Sequence, residues 1–303
     1  MASLKSVCLL WAEEKAKKVK RSSMAAYSLI IRKHILPRFD DIGEITPEAI
    51  QAIVDDSSGE GLKTNTIKGI LLVLGMIIRY SEKRGWLERR EYDLRLPCRG
   101  EMSDPKTLSQ DEERSLVSWL RGHPTRLNIG LLLCVCCGLR IGEVCALRWE
   151  DIDFQRKVIT VRRTVYRIYD PDGKPRKSRL TVGSPKTPTS FREIPLASFL
   201  LETLIDFREK GEDGYIISGG PAPSDPQNLR NNFKRVLDTL GLYQRKVHSL
   251  RHSFATRCLE SKCDIKTLST LLGHANVTTT LNIYAHPDLS QKRKCIEDML
   301  KII

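Results

Sequence analysis

The sequence predicts a mainly α-helical protein with two domains: an N-terminal domain of four helices and a C-terminal, helix-rich domain with a small three-stranded antiparallel sheet. Three observations support this fold class. Residues 1–95 have helical patterning throughout, and residues 96–106 contain Pro and Gly without an apolar period, which is typical of a linker. Residues 107–303 resume helical patterning and add a short β-rich stretch. At roughly 100–200 residues per domain, the 303 residues suit two domains.

The N-terminal helices are recognised from their apolar spacing and their end signals. In order, they are expected over residues 4–20, about 22–36, a short stretch beginning at 47, and about 64–84. Ser22 and Ser23 can cap the second helix, and Thr46-Pro47-Glu48 joins a cap to proline at the first helical position. The fourth helix has a core-facing stripe at i, i+3, i+4 and i+7, formed by Ile67, Ile70, Leu71, Leu74, Ile77 and Ile78.

The C-terminal domain begins with a capping-box pattern, Ser109-Gln-Asp-Glu112, which opens a helix. A second helix ends at Gly138, and a short third helix runs from Arg140 to Leu147. The period then becomes that of strands, and we expect a three-stranded antiparallel sheet from residues 158–166, 178–183 and 191–196. Further helices are expected near residues 197–209, 226–240, 248–261, 265–272, 277–284 and 288–302.

The chain is strongly basic. It carries 50 Lys and Arg against 37 Asp and Glu, a net charge of +13, which favours an anionic partner, most often nucleic acid. The excess is +5 in residues 1–100 and +8 in residues 101–303, so it is spread over both domains. Two basic domains could clamp one polyanion.

Several classes of protein are excluded. The longest apolar run, residues 129–139, has 11 residues, whereas a membrane helix needs ~20, so we expect no membrane partner and a cytoplasmic protein. The nine cysteines are an odd number, and their position in apolar helical sequence favours buried thiols over disulfides or a metal site. The sequence contains no Gly-rich phosphate loop and no H-E-x-x-H. We therefore expect no cofactor, no metal and no use of ATP.

Six residues are candidates for a chemical site: Arg140, Lys186, His248, Arg251, His274 and Tyr284. His248 and Arg251 are spaced i, i+3 at the start of a predicted helix, which places both on one face. His274 follows the glycine that ends another helix, and Tyr284 comes ten residues later. The shared face places His248 and Arg251 within reach of one ligand.

Each candidate also has an ordinary structural explanation. Arg140 could pair with Glu143 on its own helix, and Tyr284 could be a core residue whose hydroxyl reaches solvent. Lys186 lies where the second and third strands would turn and could be solvated, while His274 could cap a helix end. All of these explanations would have to coincide, so one common site is the stronger interpretation.

In this order, the residues resemble the tyrosine recombinases, also called the phage integrase family. The resemblance extends over both domains and rests on Gly138-Leu-Arg140-x-Gly-Glu143, Pro185-Lys186-Thr, His248-x-Leu-Arg251-His252, Leu-Gly-His274 and Tyr284. It implies a SAM-like core-binding domain in residues 1–95 and a catalytic domain in residues 107–303, which together form a clamp around duplex DNA. It also implies a two-domain integrase of a mobile element.

The chemistry of such a site follows from the residue types. Arg140 and Arg251 can each present a planar fork to the non-bridging oxygens of a pentacoordinate phosphate, and His274 can add a hydrogen bond. Tyr284 is the candidate nucleophile and His248 its base or hydrogen-bond partner. The resemblance implies that Lys186 protonates the leaving 5′ oxygen and that a 3′-phosphotyrosine forms.

Two further residues are expected to support the site. Glu143, one turn from Arg140, could hold the orientation of that arginine. We expect His252 to serve packing or a phosphate contact rather than the chemistry itself.

The expected partners are duplex DNA recombination sites and further copies of the chain. Residues 288–303 are amphipathic, with Ile296, Met299, Leu300 and Ile303 on one side, which could pack on their own domain. The resemblance implies instead an exchange helix that docks on a neighbouring protomer and links four subunits in the synapse. It also allows an accessory or directionality factor as a partner.

Two other functions are compatible with parts of the pattern. A type IB topoisomerase shares the tyrosine, arginines, lysine and histidine, but relaxes supercoils as a monomer and needs no exchange helix. A DNA-binding regulator or accessory protein could use the same scaffold, but it would have no use for Tyr284. Site-specific recombination is therefore the function that the sequence favours.

Overall fold

A computed structural model describes residues 3–89, 94–96, 107–169, 178–184, 188–208 and 213–284, together with residues 293, 296, 297, 299 and 300. Tyr169, Pro188 and residues 282–284 are described by their backbone alone. The chain divides into two compact units, one of residues 1–103 with 167–179 and the other of residues 104–166 with 180–303. The predicted linker at 96–106 lies almost entirely outside the described residues.

The first unit contains the four predicted helices. They are α1 (Leu4–Ala16), α2 (Arg21–Ile30), α3 (Pro47–Gly59) and α4 (Thr64–Lys83), with a π-helical turn at Ile31–Ile35 and a 3-10 turn at Ile42–Glu44. Thr46 caps α3 as predicted, since its hydroxyl accepts from the backbone N–H of Ala49 at 3.2 Å. The predicted serine cap of α2 is wrong: Lys20 occupies the N-cap position, so Ser22 and Ser23 lie inside the first turn.

The core of the first unit is built on α4. Every residue of the predicted stripe is buried except Leu71, which is half-buried. The stripe packs against buried residues of α1 and of the segment after α2, including Leu4, Trp11 and Ile35. Burial of aliphatic side chains at about 1.5–3 kcal/mol each is what holds these helices together.

The second unit contains eight described helices. They are α5 (Gln110–Gly122), α6 (Arg126–Cys137), α7 (Ile141–Cys145), α8 (Ser198–Phe207), α9 (Pro226–Thr239), α10 (His248–Glu260), α11 (Ile265–Leu272) and α12 (Val277–Tyr284). The predicted capping box is present at α5, where Ser109 and Glu112 exchange side-chain and backbone hydrogen bonds. Helix α6 is central, because it packs against α5, α9 and α10. No helix among the described residues has the length and hydropathy that a bilayer crossing would need.

The cysteines of α6 belong to the core, as the sequence predicted. Cys134 and Cys137 are buried and Cys136 is half-buried, and all three thiols are free. Burial raises the pKa of Cys136 to about 12 and that of Cys134 well above its ordinary value, so both stay protonated near neutral pH.

The three-stranded antiparallel sheet is present, but its strands differ from those expected. Its order is β1 (Ile152–Asp153), β2 (Val158–Val161), β5 (Arg192–Pro195), and the remaining strands β3 (Thr164–Tyr169) and β4 (Ser178–Gly183) form a separate two-stranded sheet. The segment expected as one strand, 158–166, is interrupted after Val161. Arg163 leaves the ladder there and donates to both carboxylate oxygens of Asp151, at 2.7 and 2.8 Å.

The predicted C-terminal helix at 288–302 lies largely outside the described residues. Three members of its apolar side, Ile296, Met299 and Leu300, are described, and they are 49–59% exposed.

Candidate active site

The site is organised by the C-terminal end of α11. This helix ends at Gly273, whose φ of +64° is the left-handed conformation that glycine adopts without strain. The last carbonyl groups of a helix have no intrahelical partner and carry the negative end of its dipole. Such an end attracts cations and hydrogen-bond donors.

Three arginines donate to three successive carbonyl oxygens at this helix end. Nε of Arg192 lies 2.6 Å from the oxygen of Leu271, and Nη2 of Arg251 lies 2.6 Å from that of Leu272. Nη2 of Arg140 lies 3.0 Å from the oxygen of Gly273. The arginines come from β5, α10 and the N-cap of α7, so α11 brings together residues that are far apart in the sequence.

Glu143 connects two of these arginines. Its buried carboxylate accepts from Nη1 of Arg140 at 2.8 Å, and it receives Nη1 and Nη2 of Arg192 at 3.2 and 2.9 Å. Burial alone would raise the pKa of Glu143, but hydrogen bonds and charge from Arg192, with Arg140, hold it below its ordinary value. The ionised Glu143 therefore contacts Arg140, the arginine that the sequence analysis expected it to orient.

Arg251 is only 2% exposed. Its Nη1 donates to the carbonyl oxygen of Gly138 at 2.7 Å, at the point where α6 ends in a left-handed residue. Arg251 thus joins the ends of α6 and α11. A buried guanidinium held in this way keeps its charge and has little freedom to reorient.

His274 has a defined tautomer. Its Nε2 lies 3.0 Å from Nη2 of Arg251, and its Nδ1 lies 2.8 Å from Oγ1 of Thr280. Burial, followed by the charges of Arg251 and Arg140, lowers the pKa of His274 to about 4, so the ring is neutral near pH 7. Because arginine can only donate, Nε2 is the acceptor and the proton resides on Nδ1.

His248 and His252 form a pair on α10. Their rings meet edge to face, with centroids 4.7 Å apart. Burial lowers the pKa of each, aided for His248 by the charges of His252 and Arg251 and for His252 by Arg251. His248 as a whole is nevertheless an exposed residue. A neutral, accessible imidazole can accept a proton.

Two predicted residues are described less fully. Tyr284 is the last residue of α12, one helical turn after Thr280, and its position is known from the backbone alone. Lys186 lies outside the described residues. The structure thus brings together Arg140, Glu143, His248, Arg251, His252 and His274.

Two contributors were not identified from the sequence, Arg192 and Thr280. Arg192 lies at an inward-facing position of β5, where burial alternates with the exposed Glu193. A charged residue at an inward position of a strand signals a buried partner, and that alternation could have revealed it. Thr280 lies in a run of three threonines and carries no comparable signal.

The assembled side chains suit an anion. Arg140, Arg192 and Arg251 bring three permanent positive charges, against the one carboxylate of Glu143. The side chain of Arg140 is 35% exposed, so part of this charge can reach a ligand. Among the described residues, no group of three or more His, Cys, Asp or Glu side chains could hold a metal ion.

Gly273→Ala tests whether the helix end holds the arginines. A Cβ at Gly273 would lie 3.0 Å from Cδ and Nη1 of Arg192, in a backbone conformation that costs a side chain about 1–2 kcal/mol. Gly241→Ala is a matched control, because Gly241 has the same φ of +64° and open space around it. We expect both variants to lower the melting temperature, and only Gly273→Ala to impair binding of a phosphate-containing ligand. Equal binding by the two variants would contradict this account.

The lowered histidine pKa values predict acid sensitivity. In the unfolded chain a histidine takes up a proton near pH 6.5, whereas folded His274 resists protonation until about pH 4. The unfolded state therefore binds more protons between these values, and the free energy of unfolding should fall as the pH drops from about 6.5 to about 4. Urea titrations of the wild type and of His274→Asn measure this effect. The variant should lose less stability over this range, and an identical pH slope would contradict the prediction.

The fold and the site define a class: a mainly helical protein of two units, the second of which gathers arginines and histidines into one positively charged site. Residues 106–291 match the phage integrase family, and residues 3–57 match the N-terminal SAM-like domain of phage integrases. The chain belongs to the phage integrase family, the tyrosine recombinases, which are enzymes that cut and rejoin DNA. The resemblance inferred from the motifs is thereby confirmed.

Individual relatives agree with this assignment. A tyrosine recombinase XerC-like protein of Caldanaerobacter subterraneus subsp. tengcongensis is 30% identical over 269 residues, which are 79% of this chain and 67% of the relative. The integrase of transposon Tn1549, solved with a circular intermediate DNA, matches with a TM-score of 0.77 at 21% identity. The match covers 97% of this chain and 99% of the Tn1549 integrase chain. A lambda integrase tetramer bound to a Holliday junction has a TM-score of 0.68 at 20% identity, over 93% and 77%. The two structures support the mainly α fold.

Proposed function

We propose that this protein is a site-specific DNA recombinase that cuts and rejoins duplex DNA through a 3′-phosphotyrosine intermediate, in the integration or excision of a mobile element. The observation that carries the proposal is the set of arginines on the end of α11, together with the tyrosine that ends the next helix. The Tn1549 integrase, a transposon protein, supports the link to a mobile element.

The arginines are the proposed phosphate ligands. Arg140 and Arg251 would donate to the non-bridging oxygens of the scissile phosphate, whose negative charge grows in the transition state. Preorganised donors of this kind are worth about 3–4 kcal/mol each. Their guanidinium groups are already oriented by Glu143 and by the carbonyl groups at the end of α11. Little reorganisation would therefore be needed when DNA binds.

Proton transfers complete the proposed step. The hydroxyl oxygen of Tyr284 bonds to phosphorus while the bond from phosphorus to the 5′ oxygen breaks. His248 accepts the tyrosine proton, for which its lowered pKa keeps it neutral. Lys186 donates a proton to the leaving 5′ oxygen. Attack by another 5′-hydroxyl reverses these transfers and reseals the strand without ATP or a metal.

The proposed partners are duplex recombination sites and further copies of this chain. A lambda integrase has been solved as a tetramer on a Holliday junction, which supports a tetrameric synapse here. The exposed side chains of Ile296, Met299 and Leu300 are available for a helix that docks on a neighbouring protomer. We propose residues 288–303 as that exchange helix. The protein would act at the nucleoid, and a directionality factor would be an additional partner.

A covalent-capture experiment tests this function. The probe is duplex DNA from the flanks of the coding region, nicked beside the cleavage position so that a short fragment diffuses away after cutting. We expect a protein–DNA adduct that resists denaturant and disappears on proteolysis. Recombination sites are expected as inverted or direct repeats in this flanking DNA. Failure to form an adduct on any such repeat would contradict the proposal. Relaxation of supercoiled plasmid that lacks such repeats would favour a topoisomerase instead.

A further inference from the structure

Thr280 is a buried polar residue with a specific partner at the site. It is 1% exposed, and its Oγ1 lies 2.8 Å from Nδ1 of His274. The four other side chains of the segment 277–281 are all exposed. Thr280 is therefore the inward contact of the first turns of α12, and that contact is a hydrogen bond rather than an apolar one.

The direction of this hydrogen bond follows from the neighbour on the other side of the ring. Nε2 of His274 faces Nη2 of Arg251 at 3.0 Å, and a guanidinium has no acceptor. Nε2 must then be the unprotonated nitrogen of the neutral ring, so Nδ1–H donates to the Thr280 hydroxyl. Thr280 thus holds the neutral ring in the orientation that turns Nε2 towards Arg251.

We propose that Thr280 is a positioning residue that fixes the orientation of the His274 ring and connects α12 to the arginine cluster. This inference rests on the proposed recombinase function, because α12 ends in Tyr284 one helical turn after Thr280. A single hydrogen bond then links the helix of the proposed nucleophile to the imidazole ring that contacts Arg251. Cleavage then requires both the correct position of α12 and the correct orientation of His274, and the one contact couples the two.

The surroundings explain why one hydrogen bond can matter this much. The small apolar cluster beneath α11 consists of Ala255, Leu268 and Leu272, with partly buried neighbours from α10 and the following turn. No described side chain of α12 belongs to it, and Val277 and Leu281 are 38% and 40% exposed. An element with few buried apolar contacts opens locally at low cost. Among the described side chains of α12, Thr280 is the one that is buried, and its contact is this hydrogen bond.

Three variants of the full chain test the proposal. Thr280→Val keeps the shape of the side chain but removes the acceptor, and Thr280→Ser restores a hydroxyl. Thr279→Val makes the same change on the exposed side of α12 and serves as the matched control. Circular dichroism and melting temperature establish that all three are folded.

The first measurement is the protonation pattern of the histidine rings, by long-range ¹H–¹⁵N correlation near pH 7, with His274 assigned from the His274→Asn spectrum. We expect a protonated Nδ1 in all four proteins, since Arg251 still donates to Nε2. In Thr280→Val alone, the signal of the Nδ1 proton should move upfield, because that proton has lost its acceptor. This readout needs no DNA and does not depend on the proposed reaction. An unchanged His274 signal in Thr280→Val would overturn the positioning role.

The second measurement is the single-turnover rate of adduct formation on the nicked substrate. We expect Thr280→Val to be slower by about tenfold, the size of one lost hydrogen bond, with unchanged affinity for DNA. Thr280→Ser and Thr279→Val should lie within about twofold of the wild type. A Thr280→Val rate equal to that of Thr279→Val would overturn the coupling of Thr280 to cleavage. A wild type that forms no adduct would contradict the proposed function and leave the result on the Thr280–His274 contact standing.

Discussion

Replacement of Tyr284 by Phe should abolish covalent adduct formation while leaving the affinity for DNA unchanged. The change removes only the hydroxyl oxygen that would bond to phosphorus. The arginines at the end of α11 are held by contacts that do not involve this residue, so the phosphate-binding groups should keep their arrangement. Gel separation of adducts on the nicked substrate, beside a filter-binding titration on intact duplex, measures both properties.

The control for this variant is Tyr243→Phe, which makes the same change at a tyrosine that is 62% exposed and precedes α10. It should form adducts at the wild-type rate. If adducts persisted in Tyr284→Phe, the nucleophile would have to be another residue. The proposal that α12 carries the nucleophile would then be wrong.

Arg251→Lys should reduce cleavage by at least about 100-fold, the usual effect of removing one preorganised oxyanion donor. Lysine keeps the positive charge but replaces the planar fork by a single ammonium group. It cannot span the carbonyl oxygens of Gly138 and Leu272 and also meet Nε2 of His274. Single-turnover cleavage at saturating DNA measures this loss. Near-normal rates would exclude a role for the guanidinium geometry.

Burial of Arg251 means that part of the effect could arise from unfolding, so stability must be measured alongside the rate. Arg257→Lys is a suitable control on the same helix. Arg257 also donates to a backbone carbonyl, that of Leu108 at 3.2 Å, but it lies outside the arginine cluster. A drop in melting temperature shared by both variants, with loss of cleavage only in Arg251→Lys, would separate phosphate contact from folding.

Much of the fold could be predicted because its signals are local. The stripe of α4, the Thr46 cap and the glycine that ends α11 each depend on residues a few positions apart, and all appear as expected. The interruption of the expected strand after Val161 was not predicted. It depends on a pairing of Arg163 with Asp151, which the strand pattern does not encode. Which strands pair is likewise a tertiary outcome.

The candidate site divides in the same way. Glu143 was predicted to support Arg140 because the two are one helical turn apart, and the structure contains that contact. Arg192 and Thr280 were missed because their partners are 49 and 6 positions away and belong to other elements. The roles of Lys186 and Tyr284 remain predictions that the proposed experiments test.

The arginine contacts at the end of α11 also bear on how this protein can vary in evolution. Their acceptors are main-chain oxygens of Leu271, Leu272 and Gly273, which every amino acid provides. The side chain of Leu271, which is only partly buried, can therefore drift among apolar types without touching the contact. Gly273 has no such freedom, because its conformation aims the oxygens. On the acceptor side, the three arginine contacts therefore depend on the conformation of one residue that has no side chain.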